Sequence, residues 1–149
     1  MRAPKPKDAK PKGTKLKTLK RVLVVEDDPV LSLSLDEALR DAGVREVVIC
    51  ATLESTIEAL EKADADAVVI DVHLADRDDG WALAELVGQL GPRRPRIVFS
   101  TGSPEDIPAE IAEMGLVFAK PYDPAELARE LASGEESKGL FSKLRDAIS

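Results

Sequence analysis

The sequence predicts an α/β protein with a doubly wound, five-stranded parallel sheet and helices on both faces. Five short runs rich in Val, Ile and Leu recur along the chain without polar alternation, which is typical of strands covered on both faces. Segments in which apolar residues recur at helical spacing separate these runs. This alternation of strands and helices favours parallel strands joined by right-handed crossovers.

The five predicted strands are short and almost entirely apolar, and they lie at 22–25, 47–49, 67–70, 97–99 and 116–118. Aromatic residues make up only 3% of the chain, so we expect a core built from Val, Leu, Ile and Ala. The hydrophobic share of 44% is sufficient for such a core and argues against global disorder.

Apolar stripes and end signals identify the predicted helices. The stripes are formed by Leu31, Leu35, Ala38, Leu39 and Ala42, by Leu53, Ile57 and Leu60, by Leu83, Leu86, Val87 and Leu90, and by Leu127 and Leu131. Asp28–Pro29 and Asp123–Pro124 each place a capping carboxylate before a proline at the first helical position. Gly43 predicts the end of the first helix. We expect the fourth helix to be short or partly irregular, because Pro108 lacks a backbone donor.

The charge of the 149 residues is unevenly distributed. Residues 1–20 carry eight basic side chains and one acid, a charge of +7, whereas the whole chain is −7. This segment has prolines and few large apolar residues, so we interpret it as a disordered basic tail. We expect the globular domain at 21–133. Residues 134–149 form an extension in which apolar residues recur at helical spacing, as in an amphipathic helix that packs on the domain or docks on a partner.

Composition also limits the cellular context. The chain has one cysteine, Cys50, which excludes an intramolecular disulfide and favours a reducing compartment. No apolar run reaches the roughly 18–20 residues that a membrane span needs. The N-terminal segment has no apolar stretch after its charges, so we expect no secretory signal there. We therefore expect a cytoplasmic location. The acidic body argues against nucleic-acid binding by the folded domain, although the basic tail could contact nucleic acid, an anionic membrane or the acidic body itself.

Polar side chains gather where the predicted strands end. In open parallel sheets the reactive site lies beyond the carboxyl ends of the strands. The residues at those ends are Glu26, Asp27 and Asp28, then Asp71 and His73, then Ser100, Thr101 and Gly102, and finally Lys120 and Pro121. Each of them alone could be an ordinary turn or capping residue, and we interpret Asp28 as a cap. Together they place several carboxylates, a hydroxyl and an ammonium at one edge.

These groups suit phosphoryl transfer to a carboxylate. Crowded carboxylates raise one another's pKa, and a hard divalent cation such as Mg²⁺ relieves that repulsion. A carboxylate can attack a phosphoryl group as a nucleophile, while a metal ion and a lysine offset the charge on the phosphoryl oxygens. The set therefore predicts formation of an acyl phosphate on an aspartate.

Over residues 21–133 the sequence resembles the receiver domain of two-component response regulators, the CheY-like superfamily. The resemblance rests on five motifs in order, which are Val22–Pro29, Val68–Leu74, Asp79–Gly80, Phe99–Gly102 and Phe118–Tyr122. It implies a flavodoxin-like fold and a bound Mg²⁺. By this resemblance Asp71 is the phosphoacceptor, Asp27 binds the metal directly, Glu26 acts on it through water, and His73 offers its backbone carbonyl.

The resemblance also implies roles at the fourth and fifth strands. Thr101 would turn toward the phosphoryl oxygen, Lys120 would pair with it, and the Lys120–Pro121 peptide bond would be cis. The sequence departs from the family at Val117, where many members carry the aromatic residue that moves with the switch hydroxyl. Phe99–Gly102 is similar to the signature of the FATGUY subgroup of single-domain receivers, which the residues after Gly102 do not complete.

The function implied is that of a single-domain response regulator rather than an enzyme acting on a separate substrate. It would catalyse only its own phosphorylation and dephosphorylation, accept a phosphoryl group from a histidine kinase or phosphotransfer protein, and signal through a separate protein or act as a phosphate sink. The alternative is a binding module that keeps the fold without depending on phosphorylation. An aspartate-nucleophile phosphatase is disfavoured because His73 occupies the position of its second aspartate. Dinucleotide binding is disfavoured because no Gly-x-Gly-x-x-Gly follows the first strand.

Overall fold

A computed structural model describes residues 19–71, 79–91 and 94–133 of the chain. The predicted tail, apart from its last two residues, and the predicted extension at 134–149 lie outside the described residues, as does His73. The structure places Leu19 in the core, two residues before the predicted start of the domain, and the residue is only 4% exposed. None of the described helices is long and apolar enough to cross a membrane.

The described residues form one parallel sheet with the strand order β2-β1-β3-β4-β5, which confirms the predicted fold class. The strands are β1 (Arg21–Val25), β2 (Glu46–Cys50), β3 (Ala67–Asp71), β4 (Arg96–Thr101) and β5 (Gly115–Ala119). The helices are α1 (Pro29–Asp41), α2 (Leu53–Lys62), α3 (Asp79–Gly88), α4 (Ala109–Ala112) and α5 (Pro124–Ser133). From β1 the chain first adds β2 on one side and then adds β3, β4 and β5 on the other side, so the sheet is doubly wound.

The two faces of the sheet carry separate hydrophobic cores. Helices α1 and α5 cover one face, where Leu35, Leu39 and Leu127 pack against the even-numbered residues of β1 and the odd-numbered residues of β3. Helices α2, α3 and α4 cover the other face, where Leu83 and Phe99 are fully buried. Because side chains alternate along a strand, each strand supplies both cores, which explains its nearly continuous apolar sequence.

The ends of α1 follow the predicted signals. The side chain of Asp28 accepts hydrogen bonds from the backbone amides of Val30 and Leu31, and Pro29 opens the helix. Gly43 has a φ of 108°, a conformation that glycine adopts without a steric penalty. Its amide donates to the carbonyl of Arg40, and the next amide donates to that of Leu39, so the last turn closes with its carbonyls satisfied. This cap brings the chain directly into β2.

Two helices differ in detail from the predicted stripes, and a third is short as predicted. In α2 the fully buried position is Thr56, whose hydroxyl donates to the carbonyl of Thr52 at 2.8 Å. In the α3 region Leu83 and Val87 are buried, but Leu86 and Leu90 are exposed, since Leu86 lies on the flank of the helix and Leu90 follows its end. As predicted, the fourth helix is short and irregular, with a 3-10 turn at Pro104–Asp106 followed by the four residues of α4.

Candidate functional site

The structure brings three of the predicted acidic residues together at the carboxyl edge of the sheet. Glu26, Asp27 and Asp71 each offer a carboxylate oxygen within 4.8 Å of the others, and we call these three residues the acidic cluster. Glu26 directly follows β1, and its amide donates to the carbonyl of Cys50, whereas Asp71 is the last residue of β3. Glu26 and Asp71 are buried, while Asp27 is exposed. The cluster therefore has two buried carboxylates and one that is open to solvent.

Lys120 supplies a positive charge to this cluster. Its ammonium lies 3.3 Å from Oε1 of Glu26 and 3.6 Å from Oδ2 of Asp71. Its backbone amide donates to the carbonyl of Thr101 at 2.7 Å, which continues the pairing of β4 and β5 by one residue. The Lys120–Pro121 peptide bond is cis, as the resemblance implies. The fifth strand thus delivers its lysine to the same edge as the carboxylates.

Burial and charge combine to perturb Glu26. Its pKa is raised from 4.5 to about 7, first because the carboxyl is buried and second because the charge of Asp71 repels a second negative charge. The amide of Asp28, which donates to Oε2 of Glu26 at 3.1 Å, and the ammonium of Lys120 oppose this rise. A hard cation with oxygen ligands would relieve the remaining repulsion. The donor set, all carboxylates and one of them exposed, fits such a cation.

Thr101 lies at the end of β4, next in sequence to Ser100, the register partner of Asp71. Its side chain is fully buried, and its hydroxyl oxygen accepts a hydrogen bond from the amide of Ser103 at 2.9 Å. The hydroxyl therefore holds the first residues of the loop that follows β4. Val117 lies within β5 and packs, partly buried, against the core on the α2, α3 and α4 side.

The structure adds a contact that sequence reasoning missed. Oγ of Ser100 lies 2.8 Å from the phenol oxygen of Tyr122, and the ring of Tyr122 packs edge-on against Phe118 with centroids 5.6 Å apart. Burial raises the pKa of Tyr122, and the charges of Glu26 and Asp71 raise it further. Through Ser100, Tyr122 contacts the strand position that pairs with Asp71. The position of Tyr122 directly after Lys120–Pro121 marks it as a neighbour of the site, but it does not predict Ser100 as its partner.

The fold and site together define an α/β domain with a carboxylate cluster and a lysine at the carboxyl edge of a parallel sheet. The chain belongs to the response regulator receiver domain family, which matches residues 22–132. Members of this family are phosphoacceptors in two-component signalling. The match covers all five strands except the first residue of β1.

Individual relatives agree with this assignment. The transcriptional regulatory protein PdtaR of Mycobacterium tuberculosis is 28% identical over 117 residues, which span 76% of this chain and 56% of that protein. The chain thus matches little more than half the length of this curated relative. A putative response regulator from Chloroflexus aurantiacus has a solved structure that is 34% identical, with a TM-score of 0.62, and the match covers 74% of this chain and 93% of that one.

A second solved structure bears on the metal. The receiver domain of the sensor histidine kinase PA1611 from Pseudomonas aeruginosa is 29% identical, with a TM-score of 0.64. The match covers 78% of this chain and 98% of that one. Its structure has a magnesium ion coordinated in the active-site cleft.

Proposed function

We propose that this chain is the phosphoacceptor of a two-component phosphorelay, with Asp71 receiving the phosphoryl group from a histidine kinase or a phosphotransfer protein. The observation that carries the proposal is the position of Asp71, whose carboxylate lies beside two other carboxylates and 3.6 Å from the Lys120 ammonium. Among the members of the acidic cluster, only Asp71 combines burial in a strand end with contact to the lysine and a place at the centre of the sheet.

The proposed step is a displacement at phosphorus. One Oδ of Asp71 attacks the phosphorus of the donor phosphohistidine, the phosphorus–nitrogen bond breaks, and its electron pair returns to the imidazole nitrogen, which takes up a proton from solvent. The product is an acyl phosphate on Asp71 and a free histidine on the donor. Lys120 lies close enough to offset negative charge on the phosphoryl oxygens as they arrive. The hydroxyl of Thr101 would serve as a further hydrogen-bond donor after it leaves the amide of Ser103.

We propose Mg²⁺ as the cation of the acidic cluster. Asp27 and Asp71 would hold it directly and Glu26 through water, with the backbone carbonyl of His73 as the remaining protein ligand. When bound, the cation supplies neutralising charge for the phosphoryl oxygens and for the carboxylates themselves. The support is the chemistry of the donor set, since three carboxylates within 4.8 Å of one another repel strongly without a cation.

The output belongs to the same proposal. Phosphorylation adds roughly 1.5 to 2 negative charges at the end of β3, which shifts the population between two arrangements of the neighbouring β4 and β5 ends. We propose that a separate protein reads this surface, or that the chain drains phosphoryl groups from its kinase. We further propose that the receiver occupies residues 21–133, between the basic tail and the extension, and that it works in the cytoplasm.

An amide chemical-shift titration tests the proposal. Mg²⁺ alone should shift the amides of the acidic cluster, and beryllofluoride, which mimics a phosphoryl group, should then shift those near Thr101 and Lys120. Asp71→Asn should abolish the second set of shifts. If Mg²⁺ and beryllofluoride leave the spectrum unchanged at millimolar supply, the phosphoacceptor role is wrong. Partner binding that does not respond to either addition would favour the module that does not depend on phosphorylation.

A further inference from the structure

The hydrogen bond between Ser100 and Tyr122 joins two parts of the chain that both lead to the acidic cluster. Ser100 lies in β4 as the register partner of Asp71, and the residue is 1% exposed. Tyr122 follows Lys120 by two residues and packs in the core on the α1 and α5 side. The 2.8 Å contact therefore ties the strand beside the acceptor to the loop that carries the lysine.

The loop that carries Lys120 is anchored to β4 on both sides. Before the cis peptide bond, the Lys120 amide donates to the carbonyl of Thr101. After it, the phenol group of Tyr122 binds the hydroxyl of Ser100. Lys120 itself is a long side chain that is 29% exposed, and such a chain has many rotamers. The position of the Lys120 ammonium therefore depends on how firmly these two hydrogen bonds hold the backbone around Lys120.

We propose that Tyr122, through its hydroxyl bond to Ser100, is a positioning residue that holds Lys120 in register with Asp71. The inference rests on the proposed phosphoacceptor function. Phe118 supports the ring of Tyr122 from β5, so the hydroxyl is aimed at Ser100 by packing. Val117 of β5 is small where many receivers carry an aromatic residue. In this chain the bond between Ser100 and Tyr122 links β4 directly to the lysine loop.

The experiment compares the affinities of the full chain for Mg²⁺ alone and for beryllofluoride in the presence of Mg²⁺. The variants are Tyr122→Phe, Ser100→Ala and the double variant, since each single change removes the same hydrogen bond and keeps the surrounding packing. Ser133→Ala is the control, because the Ser133 hydroxyl also makes a 2.8 Å hydrogen bond but lies at the far end of α5. Fluorine NMR reports bound beryllofluoride, and thermal unfolding checks that each variant is folded.

Tyr122→Phe and Ser100→Ala should each weaken beryllofluoride binding about fivefold, the size expected from one lost hydrogen bond. The double variant should be no weaker than either single one. Affinity for Mg²⁺ alone should not change in any of them, because Lys120 is not a metal ligand. A general loosening of the site would weaken both affinities alike, and that result would overturn the positioning role.

Two further results separate this inference from the function on which it rests. If wild-type protein binds beryllofluoride through Asp71 and both single variants bind it equally well, Tyr122 does not position Lys120, although the phosphoacceptor role stands. If wild-type protein does not bind beryllofluoride, or if Asp71→Asn binds it as well as wild type, the phosphoacceptor role itself is wrong. Additive losses in the double variant would show that Ser100 and Tyr122 act independently, which contradicts the proposed link.

Discussion

The ammonium of Lys120 lies 3.6 Å from Oδ2 of Asp71, the carboxylate proposed to accept the phosphoryl group. The same ammonium lies slightly nearer to Glu26, at 3.3 Å. One positive charge is therefore shared between two buried carboxylates. Burial of the Glu26 carboxyl and the charge of Asp71 together raise the pKa of Glu26, and the shared ammonium offsets that rise only in part. Lys120 alone does not neutralise both Glu26 and Asp71, so a bound cation would supply the missing positive charge.

Glu26 should make the metal-free protein less stable as the pH rises. Its carboxyl has a pKa of about 7 in the folded protein against 4.5 as the reference value, so the folded state binds the proton more tightly than the unfolded state. The stabilising contribution is complete below pH 4.5 and is lost as the pH rises through 7. At roughly 1.4 kcal/mol per pKa unit, the loss is at most about 3.5 kcal/mol.

Urea unfolding in EDTA, at pH values from 5 to 8, measures this effect. Glu26→Gln should remove most of the pH dependence in this range and should be more stable than wild type at pH 8. Glu37→Gln, a change on the exterior of α1, serves as the control and should follow wild type. A parallel pH dependence in wild type and Glu26→Gln would show that another group is responsible.

Asp27 should be needed for magnesium binding. Asp27→Asn removes the one exposed carboxylate of the acidic cluster, and we expect the affinity for Mg²⁺ to fall by about tenfold or more, because an amide oxygen lacks the charge that a hard cation prefers. Asp28→Ser is the matched control, since it removes the adjacent charge and keeps an oxygen that can cap α1. Calorimetric titration measures both. An equal loss in the two variants would mean that only the summed charge matters.

The hydroxyl of Thr101 should matter more than its methyl group. Thr101→Ala should weaken beryllofluoride binding about tenfold, the size expected for a lost hydrogen bond to a charged group. Thr101→Ser keeps the hydroxyl and should stay within about threefold of wild type. The binding assay with fluorine NMR measures both variants. If the serine variant is as weak as the alanine variant, the side chain acts through packing and not through its oxygen.

Gly115 should be required for the close approach of β4 and β5. A Cβ at this position would collide with the backbone carbonyl of Ile97, so Gly115→Ala should lower the free energy of unfolding by about 2 kcal/mol, as overpacking does. Gly102→Ala is the matched control, because nothing lies within 4 Å of a Cβ there; its stability should stay within about 0.5 kcal/mol of wild type. Chemical denaturation measures both, and equal stabilities would contradict the close approach.

Much of the fold and of the site could be predicted because the relevant rules are local. Apolar runs and helical spacing locate the strands and helices, and Asp28 and Gly43 identify the ends of α1. The rule that parallel strands present their carboxyl ends at one edge then brings Glu26 and Lys120 together, although 94 residues separate them. The expectation for His73 remains a prediction, because that residue lies outside the described part of the chain.

Contacts that depend on packing could not be predicted in this way. A search for apolar stripes does not identify Thr56 as a buried position, because threonine is polar. Its hydroxyl is satisfied locally by donating to the carbonyl of Thr52, so the residue can be buried. Exposed Leu86 shows the opposite case, in which an apolar residue at helical spacing does not reach the core. The bond between Ser100 and Tyr122 depends on the paths of β4 and of the chain after β5, which no local pattern encodes.

The most direct test of the central claim is the formation of an acyl phosphate on Asp71. Wild-type protein is incubated with a small phosphoryl donor such as phosphoramidate and with Mg²⁺, and intact-mass measurement counts the phosphoryl groups gained. Asp106→Asn, a change at an exposed aspartate in the 3-10 turn after β4, is the control. We predict one phosphoryl group on wild type and on Asp106→Asn, and none on Asp71→Asn or without Mg²⁺. Equal phosphorylation of Asp71→Asn, or of protein kept in EDTA, would contradict the account.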